Sequence, residues 1–331
     1  DDITFYDEIE GDCGALSYAP GETAQLHVST DSDTYDVTVE RWGDGRDVVW
    51  AASRLPGSYT PPPDDADSNG CRWPVSVEIL IGDDWRSGFY LVTLQASGAI
   101  VGRDVAHACF VVTAPSERHA SERHASALLV LGTNTWNAYN TWGGQSLYTG
   151  GHRVSFERPF SRGMLCRPEV DRDDRKARPT RWGEEPDVNG DRFQEYRFAQ
   201  GYPAAIGSSG WFTHERRFVE WAEAAGYEFD MCVSSDLDAD PSIAEGYDVI
   251  IDVGHDEYWS ARQRATIEAH IERGGHLITM SGNTCFWQVR LDGGSMICHK
   301  YQAHLVDPVI EAGQPESMAG MWCDPVVQRP E

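Results

Sequence analysis

The stretch YDVIIDVGHDEYWS, Tyr247–Ser260, decides the fold. Tyr247–Gly254 is a short apolar run rich in β-branched residues and closed by glycine, the pattern of a strand covered on both faces. The run then breaks into His255, Asp256, Glu257 and Tyr258, ionisable groups that a continuing buried strand would not carry. In a parallel α/β sheet, chemistry collects beyond such carboxyl ends.

Working outward, Ala127–Gly132 is another continuous apolar run, expected as a buried parallel strand. Arg216–Ala225 reads as a helix with Phe218, Val219, Trp221, Ala222 and Ala225 on one face and Gly226 as its stop. Tyr227–Val233 follows as a strand, and Asp240 with Pro241 starts a short helix. Ser260 and Gln263 make a capping box for a helix running to Arg273, and His276–Ser281 is a further strand. This βαβαβ order predicts a doubly wound parallel sheet with its active site in three loops, after Gly132, Gly254 and Ser281. The first of these runs some 80 residues before the next helix, a length that usually signals function.

Residues 1–114 differ. Gln25–Thr30, Tyr35–Trp42, Val75–Ile81, Phe89–Ala96 and Val105–Thr113 alternate between Gly, Pro and Asp turns, with Val75, Val77, Ile79 and Ile81 on one face. They predict an antiparallel, immunoglobulin-like β-sandwich. The duplication SERHASERHA, Ser116–Ala125, has no apolar periodicity and reads as a linker, 115–126, before an α/β domain over 127–331. Two domains also suit 331 residues, beyond the size at which one core usually splits.

With 27 Lys+Arg against 53 Asp+Glu, the formal charge is −26. That balance argues against nucleic acid and anionic membrane surfaces as partners. Lysine occurs only at Lys176 and Lys300, arginine supplying the other basic residues. Two readings stand: a halophile's carboxylate-rich surface in an acidic protein, or GC-rich coding that exchanges Lys for Arg. Eight scattered cysteines lack CxxC spacing, which excludes a zinc ribbon. Cys109 and Cys232 read as buried thiols, and a Cys13–Cys71 pair stays open. No signal peptide or apolar span is visible, so cytoplasm is the expected location, although a chain beginning at Asp1 leaves a processed start open.

The chemistry at the three loops has several readings. Phenolate and carboxylate oxygens are hard ligands that favour a trivalent ion such as Fe(III) over zinc. Alternatively, Tyr139, Trp142 and Tyr148 pack an elaborate loop. A cysteine nucleophile at Cys285, with His255 or His299 as base, is a third reading, weakened because Phe286 and Trp287 would crowd a sharp turn. No GxSxG, Walker A or GxGxxG motif occurs.

The segments NTWNAYNTWGGQSLY (Asn134–Tyr148), YDVIIDVGHDEYWS, GGHLITMSGNTCFWQVR (Gly274–Arg290) and CHKY (Cys298–Tyr301) resemble the large-subunit (beta) family of N,N-dimethylformamidase. The resemblance implies a class I glutamine amidotransferase-like, flavodoxin-like sheet that has lost its cysteine nucleophile. It also implies one iron per chain held by two tyrosinates and a glutamate, here Tyr139, Tyr148 and Glu257. Tyr196, Tyr202 and Tyr258 stand as alternatives to the tyrosine ligands. His255 would stand behind the metal ligands or contact substrate, Asn283 would donate to the amide carbonyl oxygen or to metal-bound water, and Lys300 would help set the electrostatics. Trp142, Phe286 and Trp287 would exclude bulk water.

The implied activity is hydrolysis of a small amide C–N bond, with no nucleotide cofactor. A homo-oligomer or a small accessory subunit would be the partner. The resemblance also implies more chain beyond Met321–Pro325, with a further carboxylate as base, so the second domain is expected to be incomplete at its C-terminal end. The competing reading is a non-catalytic binding protein that keeps a degenerate amidotransferase-like domain.

Overall fold

The computed structural model describes residues 8–98, 102–114, 125–168, 197 and 199–325. Period-2 alternation builds the first half. Strands β1 (Ile9–Asp12), β2 (Ser17–Tyr18), β3 (Thr23–Thr30), β4 (Thr34–Trp42), β5 (Arg46–Pro56), β6 (Val77–Leu80), β7 (Gly88–Ala96) and β8 (Val105–Val112) form two sheets. Their orders are β1-β3-β6 and β2-β8-β7-β4-β5, with one helical turn, α1 (Ala66–Asn69), between β5 and β6. Leu26 and Val28 of β3, Tyr35, Val37 and Val39 of β4, and Tyr90, Val92 and Leu94 of β7 share the core.

All five expected strands are present. Two details differ. Ser17–Tyr18 pairs parallel to Val111–Val112, so the sheets are not wholly antiparallel. Here the chain crosses from one sheet to the edge of the other instead of turning back in a hairpin. Val75 precedes β6 and is exposed, while Ile79 and Ile81 are buried.

The second half contains β9 (Ala127–Leu131), α2 (Thr133–Tyr139), β10 (Arg153–Ser155), α3 (Glu215–Ala224), β11 (Asp230–Val233), α4 (Ser234–Ala239) and β12 (Val249–His255). It continues with β13 (Tyr258–Ser260), α5 (Ala261–Glu272), β14 (His276–Gly282), β15 (Trp287–Asp292) and β16 (Ser295–Ile297). A parallel sheet has the order β11-β9-β12-β14. Both faces of β12 are used: Ile250 packs with Leu128, Val130 and Cys232, whereas Ile251 and Val253 meet Leu129, Leu131 and Met231. From β9 the chain moves outward to β11, then returns past β9 to β12 and β14. The connections beside β9 and β12 therefore depart in opposite directions and leave a crevice between those strand ends.

A second sheet, β10-β16-β15-β13, had no clear sequence signal; its strands are short, and its outer strands β10 and β13 each pair with one neighbour, β16 and β15. Only Asp256 and Glu257 separate β12 from β13, so the chain turns between the two sheets immediately after His255.

The outer face of β7 and β8 is as apolar as the inner one. Phe89, Leu91, Cys109 and Val111 join Leu129, Leu131, Trp136 and Trp211 in one core, with Phe89 stacked on Trp211 at 3.9 Å. A buried Arg41–Glu223 ion pair (2.6 Å) and a Trp42-to-Glu220 hydrogen bond (3.1 Å) close the same joint. These contacts turn α3 so that Glu215, Arg216, Val219 and Ala222 are buried and Trp221 is exposed, not part of the inward face as expected.

All eight cysteines are free thiols, with Cys13 and Cys71 in separate clusters. Of the expected linker, residues 115–124 lie outside the described residues; the Ser126 carbonyl accepts from the Asp248 and Val249 amides at the start of β12. Among the described residues no helix is long and apolar enough to cross a membrane.

Candidate active site

The segment 255–258 is fastened by residues of α2 and α5. Thr135, in the first turn of α2, accepts from the Glu257 amide through its hydroxyl (2.8 Å). Asn134 donates to the Tyr258 carbonyl (3.1 Å) and to Gln263 Oε1 (3.2 Å). Ser260 caps α5 by accepting from the Gln263 amide (3.0 Å), but the expected reciprocal half of the capping box is spent on Asn134. Gly254 has φ +91° and lies so close to His214 that a Cβ would approach the histidine Cβ to 2.5 Å. Only glycine fits there.

Glu257 is the hub. Its Oε2 accepts from the Tyr148 hydroxyl (2.7 Å) and the Tyr139 hydroxyl (3.2 Å), while Oε1 accepts from the Trp287 indole (2.8 Å). The two tyrosine rings stack at 4.1 Å. His255 Nε2 lies 3.3 Å from Glu257 Oε2, and its Nδ1 is bonded to the Ser208 carbonyl (2.7 Å). The Asn283 amide is 3.3 Å from His255 Nε2. The Lys300 ammonium sits 3.2 Å from the centre of the Tyr148 ring. All six expected site residues therefore converge at the ends of β12 and β14.

Burial sets the charges, and neighbours correct it. It pushes the phenols of Tyr139 and Tyr148 well above the ordinary tyrosine value. Burial also raises Glu257, but hydrogen bonds from His255, Tyr148 and Trp287 outweigh it and hold the carboxyl below its usual range. Lys300 is pulled down to about 8 by burial, against the opposing pull of Cys298 and Glu257. Among the described residues, five non-glycine residues have left-handed backbone, and Asn283, Cys285 and Lys300 are three of them. Such conformations cost roughly 1–3 kcal/mol each and tend to cluster at functional sites.

The other candidates lie elsewhere. Trp142 does not wall the site: it packs edge-on against Trp73 at 5.7 Å, tying the long loop to the β-sandwich half. Tyr202 belongs to the core around Trp211, and Tyr196 lies outside the described residues. His299 faces Asp307 (3.8 Å) and the His152 ring (5.1 Å). Burial pushes the Cys285 thiol up to about 12, the opposite direction from the lowering that activates a thiolate.

Sequence reading missed Trp287 as a partner of Glu257, and it missed Arg158. That guanidinium is buried and donates to the Trp142, Asn140 and Ser155 carbonyls and to Asn137 Oδ1, bracing the loop between the two tyrosines. A lone arginine in a polar stretch carries no periodic signal that would have revealed it.

Among the described residues no three His, Cys, Asp or Glu side chains converge as a metal site. The converging donors are instead two phenols and one carboxylate. No curated protein matches the chain. The family described as N,N-dimethylformamidase beta subunit-like, C-terminal, matches residues 36–331, a span that includes every residue of this cluster. The chain belongs to that family.

Proposed function

We propose that the chain is an amide hydrolase that acts on a small linear amide such as N,N-dimethylformamide, with a mononuclear iron site made by Tyr139, Tyr148 and Glu257. The observation that carries this reading is the convergence of both phenol oxygens on one oxygen of Glu257. Three hard oxygen donors meet there, and each phenol could lose its proton to solvent and ligate as phenolate, so the residues fit Fe(III). When bound, the ion supplies Lewis-acid activation of an otherwise unreactive amide carbonyl.

The chain's own residues do the rest. Trp287 and His255 fix the two oxygens of Glu257, and Ser208 fixes His255 in turn. Asn283, held beside His255, orients the amide carbonyl. Lys300 keeps a positive charge against the Tyr148 ring. Phe286 and Tyr301, packed edge-on around Trp287, limit water at the mouth. The strand order β11-β9-β12-β14 and the left-handed turn at Cys285 support reading this half as amidotransferase-like, and the two sheets sharing one core support reading the first half as immunoglobulin-like. An accessory subunit would fit a family named for a beta subunit.

The test is metal analysis combined with hydrolysis of N,N-dimethylformamide and related amides. About one iron per chain, a tyrosinate-to-iron band in the visible, and loss of both in Glu257→Ala are expected. Iron-free protein that binds amides without turnover would favour the non-catalytic binding reading instead.

A further inference from the structure

The two tyrosines of the cluster are not equivalent: Lys300 lies against the ring of Tyr148, and a third tyrosine reaches its oxygen. Tyr258 is fully buried on β13, packed among Ala138, Leu147, Trp287, Val289 and Cys298. Its backbone is held on both sides, the carbonyl by Asn134 and the amide by Thr135. Its register opposite Trp287 places it under Tyr148. The Tyr258 hydroxyl donates to the Tyr148 oxygen at 2.9 Å, and the Tyr148 hydroxyl donates onward to Glu257. A phenol has one proton to donate, so this chain has a fixed direction: Tyr258 to Tyr148 to Glu257. Tyr139 donates to the same carboxylate oxygen.

We infer that Tyr258 is a positioning residue that makes Tyr148 and Tyr139 unequal donors. The inference rests on the iron reading above. Were Tyr139, Tyr148 and Glu257 to hold a cation, the protons that the two phenols share with Glu257 would leave to solvent. Tyr258 makes no hydrogen bond to Glu257, keeps its proton, and continues to donate to the Tyr148 oxygen. A hydrogen bond into a phenolate withdraws electron density, so Tyr148 is the weaker electron donor and Tyr139 the stronger. The rigid pocket around Tyr258 holds that bond without a conformational change.

The experiment compares iron-loaded protein with Tyr258→Phe, which removes one hydroxyl and conserves the ring. Expected are unchanged iron content, a visible charge-transfer band moved to longer wavelength, and a melting temperature close to that of the unaltered chain. A second measurement needs no variant: resonance Raman of the iron-loaded protein should show two phenolate C–O stretches, one of which shifts in D2O. Full iron with an unmoved band in Tyr258→Phe, or two phenolate modes equally indifferent to D2O, overturns the inference. Loss of iron in Tyr258→Phe also overturns it, because Tyr258 would then be a ligand. Absence of any band or iron in the unaltered chain is a failure of the iron reading itself, a separate outcome.

Discussion

The Tyr148 hydroxyl donates to Glu257 Oε2 across 2.7 Å although the two residues are 109 positions apart. The long loop after β9 thus delivers its tyrosines onto the residue that ends the β12 turn. Trp287 and Lys300 arrive from two further places in the chain, and His255 comes with Glu257 from the end of β12. The site exists only when the parallel sheet and the smaller sheet beside it are both formed.

Trp287→Phe should therefore loosen the site from one side. It leaves Glu257 Oε1 without its indole donor in a buried place, at a cost of about 1–3 kcal/mol. Urea unfolding should show that loss, and iron should be held less tightly. Unchanged stability and unchanged iron affinity would count against Trp287 as a support of Glu257.

Lys300→Arg should impair activity more than stability. The ammonium lies 3.2 Å from the Tyr148 ring centre, a contact that a planar, bulkier guanidinium cannot reproduce in the same space. A fall in kcat/KM of about tenfold, or about 1.4 kcal/mol, is expected with little change in melting temperature. Equal activity in the two proteins would remove Lys300 from the site.

Cys285 should be dispensable. With its thiol pushed up to about 12 by burial, it has almost no thiolate at neutral pH. Alkylation should be slow, and Cys285→Ala should retain turnover. Activity lost in step with alkylation of Cys285 would revive a cysteine mechanism.

Glu223→Ala should destabilise the chain by roughly 3 kcal/mol at neutral pH, since it strands the buried Arg41 guanidinium. Burial alone would raise the Glu223 carboxyl, but hydrogen bonds and charge from Arg41 outweigh it and leave it lowered. A lowered folded value stabilises above the ordinary glutamate range and is lost as pH falls through that folded value. The gap between variant and parent in urea unfolding should accordingly be full at neutral pH and close in acid. A gap that is constant with pH would falsify this account of the pair.

The formal charge of −26 predicts a melting temperature that climbs with salt, because added ions screen repulsion among carboxylates. A flat response from dilute buffer to molar salt would leave GC-rich coding as the explanation for the scarcity of lysine.

Much of this protein was legible in one dimension. The apolar runs at Ala127–Leu131 and Val249–Gly254 announce a parallel sheet because burial on both faces demands them. The alternation in Thr34–Trp42 announces a half-buried sheet for the converse reason. The abrupt polar break at His255, Asp256 and Glu257 marks where the polar cluster forms, since a strand end is where side chains leave the core. Strand β5 escaped because it lies at a sheet edge and is largely exposed, so nothing imposes a pattern on it.

Tertiary structure alone decided the partners. Trp142 and Trp287 are both tryptophans in the segments that carry the family resemblance, yet one braces the β-sandwich half and the other holds Glu257. Tyr258 was open as a ligand from its position in the sequence, and the fold puts it one hydrogen bond behind Tyr148. Local sequence sets periodicity and chain direction, which depend on neighbours a few residues away. Which oxygen faces which proton depends on strand register and sheet order, and these are settled by packing between segments more than a hundred residues apart.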